Sequence, residues 1–399
     1  MCTLLCCFCI VFLTSAKNAK STLSEYIKCV ENGEDPVEYV FRLFETSDIV
    51  ILGERDHREM TQYEFITKLI ADPRFAERIG YVYTEVGVTN MTQRANELIK
   101  GEYLSEEDYK KARLNYLRDE DYLFCREKTN RSVFIDSLYH INNRLPDNQK
   151  ITLGLTDVEF DWHKAISPAK FRKWYYKYTV TDPDKKQTMR DKVMAGNFIR
   201  EYKRQKPING CKKALLITNQ PHATNNEYNK NEGFLIKKEF GNDKVKIVCL
   251  NDYYVLSASG ATEELVDDGK WDAAFELTKR KSAAFDIQDT PFGRTVYSNS
   301  WTTYTGKSWQ EYADGIIYYE PFYNFKCSIG IDGFVDDSCK EEHIRRLNLL
   351  YDAGIISNHN YEALKNYYNT VRTVPGVATD VLDKMKEQMK KHISLYEGR

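Results

Sequence analysis

The sequence predicts an α/β protein: a central, mostly parallel sheet flanked by helices, with a helical insertion and a C-terminal helical extension. Three observations carry this reading. Short apolar runs alternate with stretches of helical periodicity, as in the βα units of a parallel sheet. Four of those runs end on side chains that bind or move protons. The 399 residues, 42% hydrophobic and 29% charged, are a globular composition with ample length for a buried core.

The elements follow in order. An apolar run over 4–13, too short to span a bilayer, precedes Thr14-Ser15-Ala16. This predicts a cleaved signal peptide over 1–16 and an extracytoplasmic protein, periplasmic or secreted. Residues 22–44 read as helix, broken or restarted at Pro36. A strand over 48–52 runs into Gly53-Glu54-Arg55-Asp56-His57, where Gly53 is expected to let the backbone turn tightly. Met60, Tyr63, Ile66 and Ile70 then stand at helical spacing. A second strand over 80–85 ends on Glu85. Residues 91–122 are charged and helical in pattern, with Ser105-Glu106-Glu107-Asp108 as a helix start. This is the insertion, long enough to form a lid or a helical wall. A helix over 133–143 leads to a third strand, 151–157, ending on Asp157. Helical patterns over 168–178 and 188–205 precede a fourth strand, 213–218, which runs into Asn219-Gln220-Pro221-His222. Residues 245–250 and 315–319 read as a fifth and a sixth strand, while 257–312 have no readable period. Residues 17–340 thus form the α/β domain. Residues 341–399 read as an appended extension, a helical hairpin around Gly354 and a helix over 378–395.

The formal net charge of -2 and the lack of any basic patch interleaved with aromatics argue against a nucleic-acid partner. Beyond the leader, no apolar stretch is long enough for an integral membrane span. The 28 Tyr and 19 Phe fit either packing between helices and sheet or a Tyr-lined cleft for a ring-containing ligand. Of 10 Cys, six lie beyond the leader (Cys29, Cys125, Cys211, Cys249, Cys327 and Cys339) with no CxxC pair, so a zinc knuckle is not expected. Cys327 and Cys339 are close enough in sequence for a disulfide in an oxidising compartment.

In an open α/β sheet, ligands bind beyond the carboxyl ends of the strands. The four polar strand ends therefore converge on one pocket. His57 has the ordinary pKa for proton transfer near neutrality, and Glu85, ending the next strand, is the expected carboxylate partner. Glu54, Asp157 and His222 join them. His140, His163, His343, His359 and His392 fall on helical patterns or polar loops and read as non-catalytic. No GxSxG follows a strand, so a nucleophilic Ser is not supported.

These residues also carry a resemblance. Leu52-Gly53-Glu54-Arg55-Asp56-His57, with Glu64-Phe65 and Tyr83-Thr84-Glu85, resembles the opening of the erythromycin esterase-like family. Arg190-Asp191-Lys192-Val193-Met194-Ala195-Gly196-Asn197 is similar to that family's RDxxMAxN helix, and 214–223 to its strand ending in HNGH. Gly233 to Gly241 and Asp314-Gly315-Ile316-Ile317 also fall where the family has them, so the likeness covers roughly 45–320. It implies a metal-independent hydrolase, without cofactor, in which a His acts as general base on water. His57 matches the base, Glu85 its carboxylate and His222 the second His of HNGH. The first His of that motif is Asn219 here, and Ile66 stands where the family has a basic residue.

The expectation is a hydrolase of an ester or lactone acting on a small-molecule substrate. His57, Glu85, His222 and Glu54 form its catalytic set; Arg55, Arg58, Asp157 and Asn219 contact substrate or oxyanion. Two alternatives stand beside it. One is a metal-dependent hydrolase, with Glu54, His57, Glu85, Asp157 and His222 as ligands, resembling the Tiki-type proteases. The other is a non-catalytic ligand-binding protein, resembling the haem-binding uptake proteins.

Overall fold

The structure is a computed structural model and describes residues 22–123, 128–164, 167–179, 189–299 and 304–398. The expected signal peptide lies outside the described residues, as does Cys125. Five strands carry the architecture: β1 (Ile49–Glu54), β2 (Tyr81–Val88), β3 (Thr152–Asp157), β4 (Ala214–Asn219) and β5 (Val245–Leu250). They lie in the order β3-β2-β4-β1-β5, followed by strand Gly315–Tyr319 and, at the edge, strand Ser282–Asp286. Neighbours are parallel except the last pair, so the expected mostly parallel sheet is present.

β1 is buried along its whole length, as a central parallel strand covered on both faces must be. Val50 and Leu52 pack with Val40, Phe44, Phe65 and Leu69 of helices Pro36–Thr46 and Thr61–Ala71. Ile49 and Ile51 point the other way, into a cluster with Val30, Phe198 and Trp271. Strand periodicity thus builds two apolar layers around one sheet.

The insertion folds as helices Thr92–Lys100 and Glu106–Asp119, and Ser105 caps the second by accepting the Asp108 N–H at 3.1 Å. Strand Ser282–Asp286, inside the stretch that had no readable period, is an unexpected seventh member of the sheet. The C-terminal segment has the three expected helices: Lys340–Asp352, Tyr361–Asn369 and Thr379–Glu397. It also contributes strand Arg372–Pro375, which pairs antiparallel with Lys326–Ile329. Cys327 and Cys339 are not bonded to each other; both are free thiols. Among the described residues no helix is long and apolar enough to cross a membrane.

Gly53 does not make a turn. It lies inside β1 without a positive φ, and a Cβ there would come within 3.1 Å of Cys249 Sγ and 3.2 Å of Ala223 Cβ. Its lack of a side chain serves the close approach of helix Gln220–Ala223 to the sheet.

Candidate active site

Register brings the polar strand ends together. Glu54 of β1 is the lateral partner of Asn219 of β4, and Thr84 of β2 that of Ile217, so Glu85 stands beside Thr218 and Asn219. β1 separates β4 from β5, and the chain changes direction there, where an open α/β sheet leaves a crevice for ligands.

Beyond β1 the chain folds into a short loop that presents His57. Asp56 accepts the Arg58 N–H at 2.8 Å, and Gln62 holds the loop at both ends through the Arg55 N–H and the Asp56 carbonyl. Asn130 donates to the carbonyls of His57 and Glu59 at 2.9 and 2.8 Å, tying the loop to helix Thr129–Asn142. The backbone carrying His57 is therefore anchored from two helices.

Both ring nitrogens of His57 face carboxylates. Nδ1 lies 2.8 Å from Glu54 Oε1, and Nε2 lies 3.3 Å from Glu85 Oε1. The expected orienting partner was Glu85, but Glu54 holds Nδ1 and Glu85 faces the other nitrogen. Both carboxylates are buried, whereas His57 keeps 32% of its side chain exposed. Burial alone would lower the His57 pKa; the charges and hydrogen bonds of Glu54 and Glu85 overcome it and raise it to about 10. The two carboxylates thus favour the imidazolium form of the ring.

Glu85 is the centre of the network. Its Oε2 accepts the Asn219 backbone N–H and the Thr218 hydroxyl, each at 2.6 Å, and its Oε1 faces His57 and Arg190. Burial opposes its ionisation, but His222, Arg190 and His57 hold its pKa well below the ordinary value. Arg190, at the start of helix Met189–Arg204, clasps Asp157 through Nε and Nη2 at 2.8 and 2.9 Å and extends to Glu85 Oε1 and His222 Nε2, each 3.3 Å away. The neighbouring Asp191 holds His222 Nδ1 at 2.7 Å. Burial would lower the His222 pKa, yet Asp191 and Glu85 raise it to about 9. Six residues on, Asn197 pins this helix to the carbonyls of Thr156 and Asp157, while Met194 and Ala195 face the core. One helical face thus explains the spacing of the Arg190 to Asn197 motif.

Glu54, His57, Glu85, Asp157 and His222 accordingly join one network, and Arg190, to which sequence reading gave no role, links its two halves. Arg55 stays out of it. Its guanidinium is 1% exposed, bonded to Glu59, Thr61 and Asn251 and stacked on Phe325 4.0 Å away. Asn219 directs its side chain to the Arg55 carbonyl at 2.7 Å, clamping the ends of β1 and β4 instead of facing a substrate. Arg58 forks Asp56 on the exposed rim. Beside His57 opens a cavity of about 210 Å³ lined by Asp56, His57, Arg58, Tyr63, Val86, Asp121, Lys128 and Arg131. Thr218, Asp191 and Glu232 were also missed. Of these, only Asp191 had a signal, standing next to Arg190 in the quoted motif.

The five acid and His residues do not form a metal shell. Among the described residues, the one group of three His, Cys, Asp or Glu ligand atoms all within 4.8 Å of one another is Glu106, Asp136 and His140, on a helical surface elsewhere. Where a cation would bridge Glu85 and His222, the Arg190 guanidinium already stands. The donor set does not fit a bound metal.

No family model and no curated protein matches the chain. Among solved structures, it is similar to a Bacillus cereus protein at 10% identity and a TM-score of 0.52, covering 75% of this chain and 97% of that one. A protein described as a succinoglycan biosynthesis protein gives 11% identity and a TM-score of 0.52, with 76% and 98% covered. An erythromycin esterase mutant in its open conformation gives 12% identity and a TM-score of 0.38, with 71% and 92% covered. For the first two, at these identities, the likeness is one of fold.

Proposed function

We propose that the protein hydrolyses an ester or lactone of a small molecule, with His57 as the general base on water. The supporting observation is the position of His57: held by buried Glu54, set against Glu85, and partly exposed beside a cavity. In the resting state Nε2 carries a proton shared with Glu85, so turnover begins from the deprotonated ring. Neutral His57 then keeps Nδ1–H on Glu54, and its Nε2 lone pair, no longer bonded to Glu85, turns to a water molecule from the adjoining cavity. That water attacks the carbonyl carbon as its proton passes to Nε2. The tetrahedral oxyanion meets Arg58 and Lys128 on the cavity wall, whose charges are shared there with Asp56 and Asp121. The imidazolium, stabilised by Glu54, returns its proton to the departing alkoxide, leaving acid and alcohol.

Arg190 neutralises Asp157 and Glu85 from behind and His222 adds its charge toward Glu85, keeping Glu85 an anion without consuming His57. The position of Arg190 between Glu85 and His222 supports this metal-independent reading over the metal-dependent one.

The test is turnover of a panel of nitrophenyl esters and lactones by the wild-type protein and His57→Ala, compared up to and above the His57 midpoint near 10. General-base catalysis contributes about 10²–10⁴-fold, and a loss of that size is expected with the thermal melt unchanged. Equal rates in the two proteins would sink the proposal. Saturable ligand binding without turnover of any panel member would favour a non-catalytic role.

A further inference from the structure

Beneath Glu85 lies a second buried carboxyl that the reaction above does not use. Glu232 begins helix Glu232–Phe240 and is completely buried. Its Oε2 lies 2.9 Å from Thr218 Oγ1, and that same hydroxyl lies 2.6 Å from Glu85 Oε2. A threonine hydroxyl has one proton. It cannot donate to both carboxylates, so one of the two contacts needs a proton from the acid.

Which acid carries it follows from their other partners. Glu85 Oε2 also accepts a backbone N–H at 2.6 Å, and Oε1 faces His57 and Arg190. Every neighbour of Glu85 stabilises an anion. Glu232 has the opposite surroundings: Oε1 is buried with no hydrogen-bond partner, which is costly for an ionised carboxylate and far less so for the carbonyl oxygen of a neutral acid.

We propose that Glu232 is a neutral carboxylic acid in the working protein, donating to Thr218 so that the threonine's only proton is committed to Glu85. It is a positioning residue, acting on His57 through Thr218 and Glu85. Most of the groups facing it agree. Glu85 on β2 and Asp191 on helix Met189–Arg204 oppose its ionisation, while His222 on helix Gln220–Ala223 and a hydrogen bond from Thr218 favour it. Burial first and Glu85 second push its pKa up to about 8. The resulting chain, Glu232 to Thr218 to Glu85 to His57, fixes the acceptor that faces Nε2.

The kinetic half of this inference rests on the proposed hydrolysis; the protonation state does not. Infrared spectra at pH 6.5 decide the latter: the wild-type minus Glu232→Gln difference should contain the carbonyl band of one protonated carboxyl. Absence of that band overturns the proposal even if the protein is an efficient esterase. With an ester substrate, Glu232→Gln still donates to Thr218 and is expected to retain kcat/KM within about threefold. Glu232→Ala should lose about tenfold in kcat with little change in KM, and its pH limb should move. A Gln variant as impaired as the Ala variant means that the ionised acid is needed, and the proposal fails. If no ester is turned over at all, the hydrolase reading fails while the infrared band still decides this one.

Discussion

Replacing Glu54 by Gln separates the electrostatic role of this carboxylate from its shape. Glu54 Oε1 lies 2.8 Å from His57 Nδ1, is completely buried, and is the foremost cause raising the His57 pKa to about 10. Gln keeps the length and an acceptor oxygen but removes the charge. A hydrogen bond to a charged group contributes about 1.5–3 kcal/mol, and one pKa unit corresponds to about 1.4 kcal/mol. The His57 pKa should therefore fall by about 1–2 units in Glu54→Gln. Because deprotonated His57 is the active form, the rising limb of kcat/KM against pH should shift down by the same amount. The plateau should drop by about tenfold or more, since a neutral amide stabilises the imidazolium poorly. The assay is a pH series with one nitrophenyl ester, with substrate held well below KM. A limb that stays in place while the plateau drops would refute the idea that Glu54 sets the proton affinity of His57.

Other outcomes follow from the same network. Arg190→Ala leaves Asp157 and Glu85 buried without their shared cation and should cost about 3–5 kcal/mol in a denaturant melt; Arg190→Lys should recover only part of this, because it cannot clasp Asp157 with two donors. Asn219→Ala removes the clamp to the Arg55 carbonyl and should cost about 1 kcal/mol, with a smaller effect on rate than His57→Ala. Stability should also depend on pH with a definable sign. The raised pKa values of His57 and His222 give stabilisation that is complete below about 6.5 and lost as pH rises through about 9 to about 10. The lowered pKa of Glu85 gives stabilisation present above its ordinary value of 4.5 and lost as pH falls. Denaturation midpoints measured across pH should peak between these limits, and a midpoint still climbing toward pH 9 would contradict the assignment.

The parts of the site that were legible in the sequence were those fixed by a single strand. An apolar run ending in Glu54, Glu85 or Asp157 announces a buried strand with a polar end, and parallel strands gather such ends at one edge of the sheet. Which carboxylate meets which nitrogen depends on the lateral order of the strands and on the loop geometry after β1. Sequence periodicity is silent on both, and the strand pattern alone points to Glu85 for the role that Glu54 fills. Arg190 escaped because it reaches Asp157 and Glu85 from a helix, 33 and 105 positions away. Glu232 looked like an acidic first turn of an ordinary helix, favourable at that end for reasons unrelated to a site. Strand Ser282–Asp286 was hidden because Ser282, Ala283 and Ala284 have weak strand preference, and only packing against its neighbour makes them one. A glycine at the end of an apolar run suggests a turn; at Gly53 the crowding of Cys249 and Ala223 demands it instead.

The central claim is that one ring, His57, carries the proton whose loss switches the site on. Titrating the His57 ring by NMR in the wild-type protein, alongside kcat/KM for an ester over the same pH range, measures this directly. Ring and rate should titrate together with a midpoint near 10. A ring that titrates near its ordinary 6.5, or a rate that rises at a pH where the ring does not change, would contradict it.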